Sequence, residues 1–591
     1  MPETSTGRAV LPAAPVRRGP SPLAARRRHL LTRLYDGVLD GAALTATADR
    51  LEALLAAAPR TTPTRPLDET DAWLIAYPDH VQDSSGARSP LAALADLVDA
   101  HLSPAVTGVH TLPLHPSSSD GGFAVMDHAE VDPAYGSAQD VRRLAAGATW
   151  MADAVVNHVS AQGTWFTRWL AGDPAYAGFF RELDAGTPTT AVTRPRTSPL
   201  RTVVTRGDGR EVGVWTTFSP DQVDLDYREP RVLLAMVEVL LRYVAQGARA
   251  IRLDAVGFAW KDPATPSLNL PRTHVLVQLF RACLDAVDPG LVLVTETNVP
   301  HAENVAYLGL DGEREAQAVY QFALPPLTLD AFVGGDATRL KEWARALWFP
   351  GDGRTYLTFL ASHDGIGVRA VEGLLDDAAL DRLVAATQRA GGRVNARSCA
   401  DGSTRPYELA VSWAAVMGAG HDEATALRRH VSSYALALAL RGVPLLYLGA
   451  LLGAGNDEAT FDRTGHARDL NRMRFDADDL ELLLTSPGTR EAASLGAISE
   501  LLHLRRAHAA FSPDAAQVVQ GDDPALVVVE RVPDHGCRAV VAVNVSGSPV
   551  PLELPEGRWA RVDSGADRRG AAQAAGEPLA AYGNAWFVEV R

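Results

Sequence analysis

The run ARAIRLDA, residues 248–255, decides the architecture. Its apolar centre, Ala250, Ile251 and Leu253, stops at Arg252 and Asp254, which alternation places on one side of a strand. The same texture recurs in TWMADAVVNH (149–158), LVLVTET (291–297) and YLTFLASHD (356–364). Each ends in polar residues: Asp153, Asn157 and His158; Glu296 and Asn298; His363 and Asp364. Four more short apolar runs complete a set of eight: AWLIAY (72–77), GVHTLPL (108–114), AVYQFALP (318–325) and VPLLYLGA (443–450). Loop and amphipathic helical material follows each. Eight buried strands alternating with helices predict an α/β chain folded as a (β/α)8 TIM barrel, with the polar strand ends converging on one face.

Around this barrel, assigned to 66–158 and 224–509, the chain divides by texture. Residues 1–27 are rich in Pro, Arg and Ala and are expected to be a disordered tail, and 28–65 read as a helical segment. The insert at 159–223, after the third strand, is expected to form a small subdomain over the barrel mouth. A second insert spans 376–430, between the seventh and eighth strands. From 510 to 591, short alternating runs such as ALVVVERV and RAVVAVNV predict an antiparallel β domain.

The chain has 591 residues, 47% hydrophobic and 21% charged, with a formal net charge of -15. That composition is globular, and its acidity argues against nucleic-acid or anionic-membrane partners. Cys283, Cys399 and Cys537 are too few and too scattered for a disulfide framework or a zinc pattern, as expected of a cytoplasmic protein. No apolar run has the length of a membrane span.

Asp254, Glu296 and Asp364 meet at the barrel mouth if the strand reading holds. Three carboxylates in one pocket repel, a cost that glycosyl transfer with retention puts to use. One attacks the anomeric carbon while another, kept protonated, donates to the leaving oxygen. Arg252 beside Asp254 predicts an ionised nucleophile there. Glu296, at the end of an apolar run, is then the general acid/base.

These segments resemble glycoside hydrolase family 13, the α-amylase family. DAVVNH (153–158), RLDA (252–255), TETN (295–298) and ASHDGIG (361–367) look like its four conserved regions, in order. LIAYPDHV (74–81), WTTFSPDQVDLDYREP (215–230) and ARDLNRMRF (467–475) resemble the sucrose phosphorylase branch. GGRVNARSCADGSTRPYEL (391–409) looks more like relatives acting on glucosylglycerate, sucrose 6-phosphate or glucosylglycerol. The resemblance implies reversible phosphorolysis of an α-glucoside to α-glucose 1-phosphate through a covalent glucosyl-enzyme. Phosphate is then a co-substrate, with no other cofactor and no metal. It implies that Asp79, His128, His158 and His363 contact the glucosyl ring, and that Asp364 clamps its hydroxyls. Arg472 would bind hydroxyls or phosphate, Phe218, with Trp165 and Phe166, would wall the pocket, and Arg397 and Arg405 join Arg472 as candidate phosphate cations.

Gly121, Gly449–Ala450 and Asn395–Ala396–Arg397 depart from the pattern, all on the acceptor or phosphate side. A hydrolase or transglucosidase using the same carboxylates stays open, as does an inactive carbohydrate-binding protein. Partners are expected to be small molecules, with the chain a monomer or homodimer.

Overall fold

The computed structural model describes residues 22–309, 312–349, 351–398, 403–563 and 578–590. Eight strands close a barrel: β1 (Trp73–Ala76), β2 (Gly108–Thr111), β3 (Thr149–Val155), β4 (Ala250–Asp254), β5 (Val292–Thr295), β6 (Ala318–Tyr320), β7 (Thr355–Thr358) and β8 (Val443–Tyr447). Neighbours in space are neighbours in sequence, every pairing is parallel, and β8 closes on β1. All eight runs identified in the sequence supply a strand. They are apolar on both faces because one packs the barrel interior and the other the helices outside.

The crossover helix Pro230–Gln246 shows how the sequence sets such elements. Pro230 occupies the first turn, where a missing N–H costs nothing, and the Glu229 carboxylate accepts the Arg231 N–H. Val232, Leu233, Met236, Val237, Leu240 and Val244 recur at helical spacing and are buried against the barrel. Each large one contributes about 2 kcal/mol by leaving water. Gly247, at φ 117°, ends the helix in the left-handed region. Leu240→Ala would open a cavity costing about 2–5 kcal/mol.

Smaller elements surround the barrel. Helices Pro22–Leu34 and Gly41–Ala57 precede β1, and the first packs on the crossover helix Pro271–Leu284. Helix therefore begins at Pro22, inside the span expected as tail; residues 1–21 lie outside the described residues. In the 159–223 insert, Arg201–Thr205 pairs with Glu211–Trp215. At its root His158–Ser160 pairs antiparallel with Gln222–Asp224. The second insert opens with helix Asp377–Arg389 and contains a hairpin, Arg393–Ser398 against Thr404–Ala410, whose second strand pairs with Ile366–Gly367 beside Asp364. A five-stranded antiparallel sheet lies at the C-terminal end of the chain. Among the described residues no helix is long and apolar enough to cross a membrane. Cys283 and Cys537 are free thiols, and Cys399 lies outside the described residues.

Candidate active site

β4 ends at Asp254, and the next residue, Ala255, turns into the left-handed region at φ 47°. That turn aims the Ala255 N–H at Glu296, whose Oε2 accepts it at 3.0 Å. Strand pairing between β4 and β5 thus fixes the two carboxylates side by side. Arg252 is buried beneath them. Its Nη1 lies 2.7 Å from Asp153 and 3.0 Å from Asp254, and its Nη2 lies 3.7 Å from Glu296. The Phe123 and Tyr320 rings flank its guanidinium at 5.6 and 5.7 Å.

The guanidinium expected to keep Asp254 ionised thus has two further carboxylates to serve. Its charge is shared, with the shortest contact going to Asp153. Burial pushes both Asp254 and Glu296 above the usual carboxylate range; Arg252 opposes the shift in each, and neighbouring carboxylates add to it. The two groups therefore titrate as a pair competing for a proton.

Asp364 behaves differently. Burial opposes its ionisation, but Arg468, Arg472 and Arg252 outweigh that and hold it below the usual range. Arg468 Nη1 contacts it at 2.6 Å, and the same guanidinium reaches Glu408 at 2.7 Å. Glu408 comes from the second insert, opposite Gly367 in the sheet, so this hairpin is wired to the catalytic carboxylates. His158 and His363 are buried and pushed below their usual values by desolvation, so both are neutral. His158 Nε2 lies 3.0 Å from the Phe123 carbonyl, and Arg472 Nε donates to the His363 carbonyl at 3.0 Å.

A pocket opens over this cluster, lined by Asp254, Glu296, Asp364, His158, His363 and Phe218. Other predicted residues lie elsewhere. Asp79 is held off by an ion pair with Arg474 at 2.9 Å. Arg472 sits behind the pocket wall, 5.6 Å from the Tyr77 ring centre. His128 faces a separate groove with Trp165, packs on His115, and is pushed down to about 3 by burial. Phe166 stacks on Trp169 within the main hydrophobic core, away from the pocket. Arg397 and Arg405 lie opposite each other toward the hairpin tip, away from Gly367. Arg397 pairs with Glu372 at 2.7 Å, and Arg405 is exposed.

The structure brings in residues that the sequence reading did not name. Asp120, from the loop after β2, lines the pocket and accepts from Gln222 at 3.1 Å. Gly121 follows it at φ 60°, where a β-carbon would lie 2.9 Å from both Arg472 Nη1 and the Tyr77 hydroxyl. Any side chain there takes a left-handed backbone and must displace the ends of those two side chains. Arg196, Arg369 and Tyr407 complete the rim. Asp120 lies in HPSSSDGG (115–122) and Tyr407 in the 391–409 motif, whereas Arg196 lies in none of the quoted motifs. Outside the pocket, the Lys261 ammonium lies 2.6 Å from Asn157 Oδ1 and 3.0 Å from Asp224 Oδ2, joining the end of β3 to the insert.

A closed parallel barrel with carboxylates on two adjacent strand ends and a third on the loop after β7 matches known proteins. A family model for the α-amylase catalytic domain matches residues 78–365. The chain is 42% identical over 542 residues to glucosylglycerate phosphorylase of Allomeiothermus silvanus, covering 90% of this chain and 96% of that one. It is 41% identical to glucosylglycerate phosphorylase of Escherichia coli K12 over 76% of this chain and 80% of that one. Sucrose phosphorylase of Agrobacterium vitis is 31% identical, over 80% and 94%. Among solved structures, sucrose 6F-phosphate phosphorylase from Thermoanaerobacter thermosaccharolyticum shares the fold, with a TM-score of 0.70 at 22% identity over 80% of this chain and 94% of that one. The chain belongs to the α-amylase family, glycoside hydrolase family 13. Within it, the chain is a glucoside phosphorylase.

Proposed function

We propose that this enzyme phosphorolyses glucosylglycerate with retention of configuration, releasing glycerate and α-glucose 1-phosphate. The observation that carries the choice of acceptor is the 42% identity spanning 90% of this chain and 96% of a glucosylglycerate phosphorylase. The pocket supports the chemistry. Asp254 attacks carbon 1 of the glucosyl unit as the bond to the acceptor oxygen breaks, and Glu296 gives that oxygen its proton. Glu296 Oε2 is engaged by the Ala255 N–H, which leaves Oε1 to carry the proton. A phosphate oxygen then attacks carbon 1, returns a proton to Glu296 and frees Asp254. Asp364, kept ionised by Arg468, and Asp120 hold ring hydroxyls, aided by the neutral imidazoles of His158 and His363. Phosphate is the second substrate, and the cytoplasm, which supplies it, is the expected setting.

The test is the reverse reaction. α-Glucose 1-phosphate is offered with glycerate, fructose, fructose 6-phosphate, glycerol or glucose in turn, and phosphate release is measured. Release with glycerate far above the others is expected. Preference for another acceptor refutes the acceptor assignment, and formation of free glucose independent of phosphate refutes phosphorolysis.

A further inference from the structure

We propose that Arg369, with Asn298 beside it, recognises the carboxylate and a hydroxyl of the acceptor and makes the enzyme select an acid over a neutral polyol. The inference rests on the glucosylglycerate reading and deepens it. Most cations around the catalytic cluster are already matched. Arg252 serves Asp153 and Asp254, Arg468 serves Asp364 and Glu408, and Arg474 serves Asp79. Arg369 lines the same pocket, yet among the described residues it has no carboxylate within ion-pair distance, and its Nε is buried without a hydrogen-bond partner. A half-buried guanidinium in that condition is costly unless an anion from outside completes it.

Its position fits the departing acceptor. Arg369 starts the short helical turn Arg369–Val371, two residues beyond Gly367 and five beyond Asp364. Gly367 packs so closely on Asn298 that a β-carbon there would collide with the carboxamide. Asn298 is two residues beyond Glu296, lines the pocket, and has its Oδ1 buried without a partner. The turn bearing Arg369 is therefore set against the segment bearing the acid/base, on the side where the protonated oxygen leaves. A planar guanidinium matches a carboxylate in a fork, and an orphaned carbonyl oxygen accepts from an alcohol. Glycerate offers both groups, whereas glycerol offers only hydroxyls.

The experiment compares wild type with Arg369→Ala and Arg369→Lys in transfer from α-glucose 1-phosphate, reading the ratio of kcat/KM for glycerate to that for glycerol. Thermal midpoints check that each variant folds. Arg369→Ala should lower the ratio on the order of 10- to 100-fold, mainly through KM for glycerate, and Arg369→Lys should recover part of it. An unchanged ratio overturns the proposal while leaving the glucosylglycerate reading intact. So does a raised KM for phosphate with the ratio preserved, which would assign Arg369 to phosphate. If wild type uses neutral acceptors only, the glucosylglycerate reading fails, and Arg369 is judged by inhibition of phosphorolysis by free glycerate. Inhibition lost in Arg369→Ala sustains the anion site; inhibition absent from wild type, or equal in both, overturns it.

Discussion

Lys261→Met removes a charge while nearly keeping shape, and the structure sets what that costs. Lys261 is 4% exposed, and its Nζ lies within hydrogen-bond reach of Asn157, Asp224 and the Ala259 carbonyl. Asp224 is 0% exposed and also accepts from the Thr217 N–H, the Thr217 hydroxyl and the Asn157 amide. Removing the ammonium leaves a buried carboxylate with hydrogen bonds but no cation, which costs about 3–5 kcal/mol. At about 2.1 cal/mol/K per residue, the 591-residue chain unfolding as one unit has an entropy near 1.2 kcal/mol/K. The thermal midpoint should then drop by about 2–4 °C. Adding Asp224→Asn should restore part of the loss, because the stranded charge disappears. Differential scanning calorimetry of the four proteins in the cycle measures this. A double variant that loses the full sum of the single losses would refute the electrostatic account. Activity should fall too, since Asp224 pairs with His158 in the sheet at the root of the insert.

Three further outcomes follow from the site. Asp254→Asn should lower phosphorolysis by about 10⁴-fold or more, measured as α-glucose 1-phosphate formed, and survival of turnover would remove Asp254 from the nucleophile's role. Glu296→Gln should abolish use of glucosylglycerate and the alkaline limb of kcat/KM, which lies above the usual carboxylate range because Glu296 is raised by burial. α-Glucosyl fluoride, whose leaving group needs no proton, should still glucosylate that variant, and equal loss with both donors would contradict the acid role. Arg468→Met strips the cation that lowers both Asp364 and Glu408. Asp364 then protonates at a higher pH on acidification, so the acid limb of the pH–rate profile should move upward and kcat at neutral pH should fall by about 10²–10³-fold; an unmoved limb counts against the coupling.

Why some of these residues were legible and others were not is a matter of chain geometry. Asp153, Arg252, Asp254 and Glu296 sit at or beside strand ends, where an apolar run stops abruptly, and the period of two assigns their side. The barrel was legible for the same reason. Asp364 lies six residues past β7, and its motif rather than any period marked it. Arg196, Tyr407, Glu408 and Arg468 reach the pocket from inserts and a distant loop, so no local pattern aligns them. Asp79 and Asp120 show the limit of motifs: both close loops after neighbouring strands, and only Asp120 lines the pocket while Asp79 pairs with Arg474. Arg397 and Arg405 had the right chemistry in the right hairpin, but sheet register puts Glu408, not the arginines, against Gly367.

The distribution of charge explains why phosphate, rather than water, should be the competent second nucleophile. At the pocket floor, Arg252 and Arg468 are shared among Asp153, Asp254, Asp364 and Glu408, so their positive charge is consumed there. At the rim, Arg196 and Arg369 have no carboxylate at ion-pair distance among the described residues. On the proposed reading, an acidic acceptor and phosphate are both anions that this rim would draw, in turn, because the first must leave before the second attacks. Water is neutral and gains nothing from the cations, whereas either anion brings charge that the rim lacks and displaces water as it binds. Acceptor choice and phosphorolysis are therefore separable. Neutralising one rim arginine should change which anion is favoured, while the carboxylates beneath continue to form the glucosyl-enzyme.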